Sequence, residues 1–290
     1  MDPRASTRIQ LCGRLVAVWE GDRVEQRLPS RQGRLLFAYL VVNRHRPRSR
    51  AALVDAVWPV EPPGTADSAL NALLSKLRAV LGREAITGRD EPRLVLPPDA
   101  YVDLEAAAEQ LHEAESATSM GDWHRAWAPA RAALHASERG FLEGHGAPWI
   151  EEVRRTLEDV RVRALECVAE TGIELGGAEL AATERAGRAL IESSPFRESG
   201  YIHLMRALDA RGEVGEAMLV YDRLRTGLRE ELGIAPSARA QELHARLDGH
   251  PHVGRVAVLR VLAPQPSSAV DDHAKTVQSF AAHVDHERAA

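Results

Sequence analysis

The polar face of one predicted helix carries the side chains best suited to specific chemistry in this chain. Between Thr65 and Leu81, leucines recur at three- and four-residue spacing, which predicts a helix with one buried stripe. On the other face, Asn71 can pair with an adenine edge, Ala72 can approach a thymine methyl group, and Lys76 can reach guanine O6 and N7. Short side chains of this kind let a helix enter the major groove of DNA.

The same face carries groups that suit a phosphate backbone. Ser68, Ser75 and Arg78 can hydrogen-bond phosphate oxygens, contacts that set the register of a protein on DNA without reading its sequence. Taken alone, the helix also fits a plain alternative, an amphipathic surface helix with solvated ends. The elements on either side of it decide between the two readings.

Two kinds of pattern precede this helix. The segment IQLCGRLVAVWEGDRVEQRL has alternating apolar residues on both sides of Glu20-Gly21-Asp22, which predicts a strand hairpin. The period then changes to three and four in RQGRLLFAYLVVNRH, which predicts a first helix. A short second helix, RAALVDAVW, begins after the capping residue Ser49 and ends at Pro59.

A second hairpin is predicted after the polar helix. Thr65 or Asp67 caps the start of that helix and Gly82 closes it. In AITGRDEPRLVL two short β-prone runs flank a turn that starts at Gly88. Strand hairpin, three helices and hairpin form the order of a winged helix-turn-helix, whose third helix lies in the major groove.

Cationic residues extend the same surface. Arg46, Arg48 and Arg50 lie in or after the loop before the second helix, and Arg89 and Arg93 lie in the second hairpin. Residues 1–100 hold 16 Arg and Lys against 11 Asp and Glu, whereas residues 101–290 hold 21 against 31. The first part therefore attracts a phosphate backbone that the second part repels.

The rest of the chain is predicted to be helical up to about residue 248. The segments GDWHRAWAPARAAL and GEVGEAMLVYDRLRTGL both start with glycine and an acidic residue and place an alanine, Ala126 or Ala217, soon after. Helix pairs with a small residue at the crossing indicate a tetratricopeptide-like array. Trp123, Trp127 and Trp149 fit the apolar stripes of these helices and are interpreted as packing residues within the array.

The predicted fold is therefore mainly α, with an N-terminal α+β winged helix-turn-helix followed by an all-α tetratricopeptide-like helical array. We place the winged helix in residues 1–98, the helical domain in residues 99–250 and a flexible tail in residues 251–290.

No motif for catalysis or for cofactor binding is found in the sequence. The chain has no GxxxxGK[ST], GxSxG, HExxH or CxxC motif, and Lys76 and Lys275 are its two lysines. We expect Cys12 and Cys167 to be two unrelated, buried free thiols. We expect no enzyme activity, no cofactor and no metal.

Without a signal peptide or an 18-residue apolar run, we expect a cytoplasmic protein with no membrane partner.

These motifs resemble the Streptomyces antibiotic regulatory protein family, transcriptional activators with an OmpR/PhoB-type winged helix and a bacterial transcriptional activation domain. ADSALNALLSKLRAVLG is similar to the family's recognition helix, and RQGRLLFAYLVVNRHRPRSRAALVDAVWP to its first two helices. SSPFRESGYIHLMRALDARGEVGEAMLVYDRLRTGLREELGIAPS is similar to the most diagnostic block of the activation domain. The resemblance covers roughly residues 9–247. It also indicates the small, two-domain kind of member, without the ATPase domain of larger ones.

The resemblance implies a role for particular residues. It puts Ala69, Ala72 and Lys76 at base-facing positions and Ser68, Ser75 and Arg78 at phosphate-facing positions of the recognition helix, with backbone contacts from Arg50 and Trp58 and minor-groove contacts from Arg89 or Arg93. Trp58 fits a core anchor equally well. The sequence departs from the family where Leu73, Ser68 and Ser75 replace residues that often touch phosphate, and in the wing, which lacks Gly-Tyr-x-Leu.

The leading expectation is a sequence-specific transcriptional activator that binds direct repeats in promoter DNA. The resemblance implies contacts with the sigma and alpha subunits of RNA polymerase and self-association on DNA. An alternative is a protein-interaction adaptor whose helical array binds a partner and whose winged helix is a structural cap. A weaker alternative is the regulatory segment of an enzyme whose catalytic domain followed residue 249.

Overall fold

The computed structural model describes residues 6–249, and it begins with a small mixed sheet. Strand β1 (Arg8–Gln10) lies between β2 (Val16–Trp19) and β6 (Tyr101–Val102), and β3 (Asp22–Arg23) lies at the edge beside β2. β1 pairs antiparallel with β2 and parallel with β6. The predicted first hairpin is therefore present, and β6 adds a strand that the sequence pattern did not indicate. The predicted tail, residues 251–290, lies outside the described residues.

Three helices and a wing follow the hairpin in the predicted order. They are α1 (Ser30–Val42), α2 (Arg50–Val57), α3 (Ala66–Leu81) and the hairpin of β4 (Ile86–Thr87) with β5 (Arg93–Leu94). The Ser49 hydroxyl accepts a hydrogen bond from the Ala52 N–H, which confirms the predicted cap of α2. Gly82 ends α3 with a φ of 103°, a conformation that glycine adopts without strain.

Helix α1 is buried on nearly all sides. Every residue from Leu35 to Val41 is buried, so the helix has no broad solvent face. Such a helix needs covering on more than one side. In this chain α2 and α3 contact one part of α1, and residues far along the sequence cover another part. Phe141, Ile150 and Leu157 belong to the same hydrophobic core as α1, α2 and α3.

Seven helices make up the remainder of the described chain, and each contacts the next in sequence. They are α4 (Asp103–Ser119), α5 (Trp123–Ser137), α6 (Pro148–Leu175), α7 (Leu180–Ser193), α8 (Glu198–Ala210), α9 (Val214–Gly227) and α10 (Ala238–Asp248). A π-helical turn, Leu228–Leu232, follows α9 directly. One apolar core lies among α4, α5, α6 and α7, and another among α7, α8, α9 and α10.

The two segments that look alike in sequence form the same structure. Gly121 and Gly212 both have positive φ, 71° and 78°, and each follows the end of one helix and precedes the next. In both turns the N–H of the glycine and of the acidic residue after it bond back to carbonyls of the finished helix. Ala126 and Ala217 are both fully buried where the paired helices meet. The tetratricopeptide-like pairing is confirmed.

The long helix α6 joins the winged helix to the array. Trp149, at its start, lies edge-on to the rings of Tyr39 and Phe141, with centroids 5.2 Å and 5.9 Å away, and its indole N–H donates to the Ala56 carbonyl at 3.1 Å. Leu165, about four turns further along the helix, belongs to the second core. Trp149 therefore packs against α1 and α2, and not within the array as the sequence suggested.

A buried carboxylate fixes the start of the array against the sheet. Asp103, the first residue of α4, accepts hydrogen bonds from the N–H groups of Leu11 and Cys12, both at 2.9 Å. Burial raises the pKa of Asp103, and the two N–H donors act against that rise. These bonds link residues 91 and 92 positions apart in sequence and satisfy two buried N–H groups after the end of β1.

His203 is the buried histidine of α8. Its side chain is 5% exposed, and its Nδ1 has no hydrogen-bond partner among the described residues. Burial, with smaller contributions from Arg206 and Arg239, lowers the pKa of His203 to about 4, and Glu166 acts in the opposite direction. The imidazole is therefore neutral at physiological pH and cannot take up a proton in the folded state without cost.

We predict that Asp103→Ala destabilises the fold by about 2–4 kcal/mol, because it leaves two buried N–H donors without an acceptor. Urea unfolding followed by circular dichroism measures the loss. Asp99→Ala, an exposed carboxylate four residues earlier, is the matched control and should change stability by less than about 0.5 kcal/mol. Equal effects of the two changes would show that the Asp103 bonds contribute little.

We predict that His203 makes the fold less stable as the pH falls. Because the pKa is lowered from 6.5 to about 4, the unfolded chain binds the proton first, so stability is full above pH 6.5 and is lost progressively down to about pH 4. The loss approaches about 3 kcal/mol at the acid end. Unfolding midpoints from pH 4 to 7.5 should decline less steeply for His203→Leu than for the unchanged protein. Exposed His112→Leu should keep the original slope.

Candidate nucleic-acid interface

Helix α3 is held by a complete stripe of leucines. Leu70, Leu74 and Leu77 are at most 2% exposed, and Leu73 and Leu81 are also buried in the core of the winged helix. Burying a leucine contributes roughly 1.5–3 kcal/mol, so this stripe fixes the rotation of α3 about its own axis. Leu73, at a position where the resemblance implied a phosphate contact, packs inward.

The opposite face of α3 is open to solvent. Five residues predicted to contact DNA are exposed on it: Ser68, Asn71, Ala72, Ser75 and Lys76. Ala69 is half-buried at the edge of that face. The structure therefore leaves the predicted face of α3 exposed to solvent.

Arg50 reaches α3 from the first turn of α2. Its Nη2 donates to the Asn71 Oδ1 atom at 2.7 Å, and its Nη1 donates to the Arg89 carbonyl at 3.3 Å. Its Nε lies 3.9 Å from an Asp67 carboxylate oxygen. One guanidinium group thus links α2, α3 and the wing. The sequence indicated a backbone phosphate contact for Arg50, and these bonds were not foreseen.

Arg78 links α3 to the wing at the other end. Its Nε donates to the Ile86 carbonyl at 3.1 Å, and the residue is half-buried. The predicted role of Arg78 was a phosphate contact. In the structure part of its guanidinium is engaged in holding β4, and the two Nη groups have no bonded partner within residues 6–249.

The wing and the loop before α2 carry the other predicted cations. Arg89 and Arg93 are exposed, and Gly88, with a φ of 82°, makes the wing turn between them and β4. Arg46 is exposed, whereas Arg48 donates two hydrogen bonds to the Asn43 side chain. The exposed cations thus lie in segments on both sides of α3 in sequence.

Trp58, at the end of α2, is half-buried and packs against the core of the winged helix. Its backbone N–H closes α2 by bonding to the Val54 carbonyl at 2.8 Å. The packing supports the core-anchor interpretation of this side chain, and the exposed part of the ring leaves the backbone contact to DNA as a prediction.

Two further features bear on other functions, namely possible metal ligands and possible membrane-spanning helices. Within residues 6–249, no group of three or more His, Cys, Asp and Glu side chains has an arrangement that could hold a metal ion. In the same part of the chain, no helix is both long enough and apolar enough to cross a membrane.

The fold and the open face of α3 define a winged-helix protein with a tetratricopeptide-like activation module. The family model described as "Bacterial transcriptional activator domain" matches residues 102–248, about half of the chain. The chain belongs to this family and is a transcriptional regulator of the Streptomyces antibiotic regulatory protein type.

Relatives of known name agree with this assignment. The regulatory protein AfsR of Streptomyces coelicolor is 32% identical over 75% of this chain, and the regulatory protein DnrI of Streptomyces peucetius is 27% identical over 86% of it. The chain spans 22% of the length of AfsR and 94% of the length of DnrI. Both relatives are named as regulatory proteins.

A solved structure shares the fold. It is described as Mycobacterium tuberculosis EmbR in complex with a low-affinity phosphopeptide, and it superposes with a TM-score of 0.69 at 24% identity. The match covers 97% of this chain and 71% of EmbR. At this identity the likeness establishes the shared fold.

We predict that Arg78→Ala loosens the wing while leaving α3 in place. Loss of the bond to the Ile86 carbonyl removes about 1 kcal/mol from the local stability of the hairpin, and amide exchange in β4 and β5 should speed up about fivefold. Hydrogen–deuterium exchange with mass spectrometry measures this. Exposed Arg83→Ala, five residues further along, should leave the wing unchanged. Unchanged wing exchange in Arg78→Ala would contradict the prediction.

Proposed function

We propose that this protein is a sequence-specific transcriptional activator whose α3 enters the major groove of promoter DNA. The observation that carries the proposal is the division of α3 into two faces. Five leucines are buried behind it, while Asn71, Ala72 and Ser75 stand exposed and small enough to let the helix approach base edges, and the exposed Lys76 is long enough to reach them. A solvated surface helix does not require such a run of short side chains.

Charge supports the same assignment. The excess of five cationic residues in the first 100 residues belongs to the part that contains α3, and exposed arginines lie in the loop before α2 and in the wing. Phosphate contacts from such side chains release condensed counterions, which drives binding. The acidic helical part is repelled by DNA, so it is expected to face away from the duplex.

The remaining parts of the proposal concern partners. We propose that the protein binds direct repeats as head-to-tail protomers and that the helical array recruits RNA polymerase through its sigma and alpha subunits. The support is the family to which the chain belongs and the joining of α6 to the winged helix. Because Trp149 and Ile150 pack into the core of the winged helix, an array bound to polymerase is held at a fixed angle to α3.

A second candidate is a protein-interaction adaptor whose winged helix is a structural cap. The observation in its favour is that Arg50 and Arg78, two of the predicted phosphate-contacting cations, bond within the chain. Their engagement leaves fewer free cations beside α3. The two candidates differ in what they predict for Lys76, which has no bonded partner in the described part of the chain.

We predict that Lys76→Ala weakens binding to a selected duplex by about tenfold or more, since a lysine contact to guanine O6 and N7 contributes on the order of 1–3 kcal/mol of discrimination. Fluorescence anisotropy with duplexes enriched from a randomised pool, across 50–300 mM salt, measures both affinity and its salt dependence. For the unchanged protein, log affinity should fall linearly with log salt.

The matched control is Arg223→Ala, which removes one exposed cation from α9. It should keep both the affinity and the salt slope. Two results together would contradict the DNA-binding proposal and favour the adaptor: affinity that is insensitive to salt and to sequence, and equal behaviour of Lys76→Ala and Arg223→Ala.

A further inference from the structure

Arg50 contacts the one amide side chain on the exposed face of α3. The guanidinium lies across the gap between α2 and α3, and the shortest of its bonds, at 2.7 Å, goes to the Asn71 Oδ1 atom. The side chain of Arg50 is 25% exposed, and its bond to Asn71 is open to solvent. The contact to Asp67 is longer, at 3.9 Å, and that carboxylate is 83% exposed, so it holds Arg50 only weakly.

This bond settles which way the Asn71 amide faces. Arginine has only N–H donors, so the group that faces it must be the amide oxygen and not the amide NH₂. The NH₂ group of the planar amide therefore points away from Arg50. It has no bonded partner among residues 6–249, and Asn71 is exposed. Asn71 therefore presents two hydrogen-bond donors, and an oxygen already bonded to a cation.

The orientation affects which base suits Asn71. Adenine pairs with asparagine by donating from N6 to the amide oxygen while N7 accepts from the amide nitrogen. Here the adenine N6 amine would approach the Asn71 Oδ1 atom beside the Arg50 guanidinium. The N6 hydrogens and the guanidinium N–H hydrogens both carry positive partial charge and repel each other. Guanine presents acceptors at both O6 and N7, which suit the amide NH₂ and are attracted by the guanidinium.

From this geometry we propose that Asn71 reads an acceptor edge, guanine in preference to adenine, and that Arg50 is the positioning residue that enforces the choice. This rests on the proposed DNA binding. It also replaces the sequence-based expectation that Asn71 pairs with adenine. Arg50 acts through Asn71, and its bond to the Arg89 carbonyl holds the wing beside the same site.

The test is selection from a randomised duplex pool with the full-length protein, followed by competition anisotropy at the base position that faces Asn71. Asn71→Ala identifies that position, because base preference should vanish there alone. The unchanged protein should favour guanine over adenine by about tenfold. Arg50→Ala should bring that ratio close to one, because the amide is then free to turn over. Arg50→Lys, which keeps a donor-only side chain, should restore most of the preference.

Arg46→Ala is the control for loss of charge. It removes an exposed cation from the loop before α2 and should weaken binding to guanine- and adenine-containing duplexes by the same factor. An adenine preference in the unchanged protein, or a guanine preference that survives Arg50→Ala, would overturn the inference while leaving DNA binding intact. Absence of any sequence enrichment would overturn the proposed function, and this inference with it.

Discussion

Burial of α1 on nearly all sides is the constraint on which the rest of the structure depends. A helix with apolar residues at every position from Leu35 to Val41 cannot face water on any broad side. The helices α2 and α3 cover only part of it. Besides residues of the sheet and the wing, the same core contains Phe141, Trp149 and Ile150, which come from the helical part of the chain. The winged helix therefore completes its core with residues of the activation module.

The shared core determines how the two parts of the molecule are joined. Asp103, the first residue of the array's first helix, accepts bonds from the N–H groups that follow β1, and the Gly13 N–H donates to the Gly140 carbonyl at 2.9 Å. Arg154 on α6 then fastens the intervening loop by donating to the carbonyls of Phe141, Leu142 and His145. These contacts are buried or partly buried and involve backbone groups, so they resist rotation between the parts.

The sequence allowed prediction of the elements that local patterns define. The leucine spacing of α3, the Ser49 cap, Gly82 and the wing turn at Gly88 all act within a few residues, so each leaves a local signal. The strand β6 has two residues and left no alternation to detect. The boundaries placed at residues 98 and 250 remain predictions, although the core of the winged helix extends to Leu157.

The contacts that shape the candidate site were beyond prediction for a different reason. Arg50 and Asn71 are 21 residues apart, and their bond depends on the angle between α2 and α3, which no periodicity encodes. The exposure of Asn71, Ala72 and Lys76 could be predicted from the helical period, because residues opposite the buried leucine stripe must face solvent. The orientation of the Asn71 amide did not, since it depends on a neighbour that only the folded chain supplies. One signal was present in the sequence: eight consecutive apolar residues from Leu35 to Val42 indicate a helix that is covered all round.

The cations of this chain differ in whether they bond within the fold or are left without a partner in it. Two of the 37 Lys and Arg residues are lysines. The planar guanidinium can bond several fixed acceptors at once, and Arg50 and Arg154 both do so here. An ammonium group on a flexible stem suits a site where the acceptor arrives from outside and the donor must adjust to it. Lys76 stands at such a site, on the exposed face of α3 with no bonded partner in the described residues. Arg50 and Arg78 hold this surface in shape through bonds within the chain, whereas Lys76 makes no such bond among the described residues.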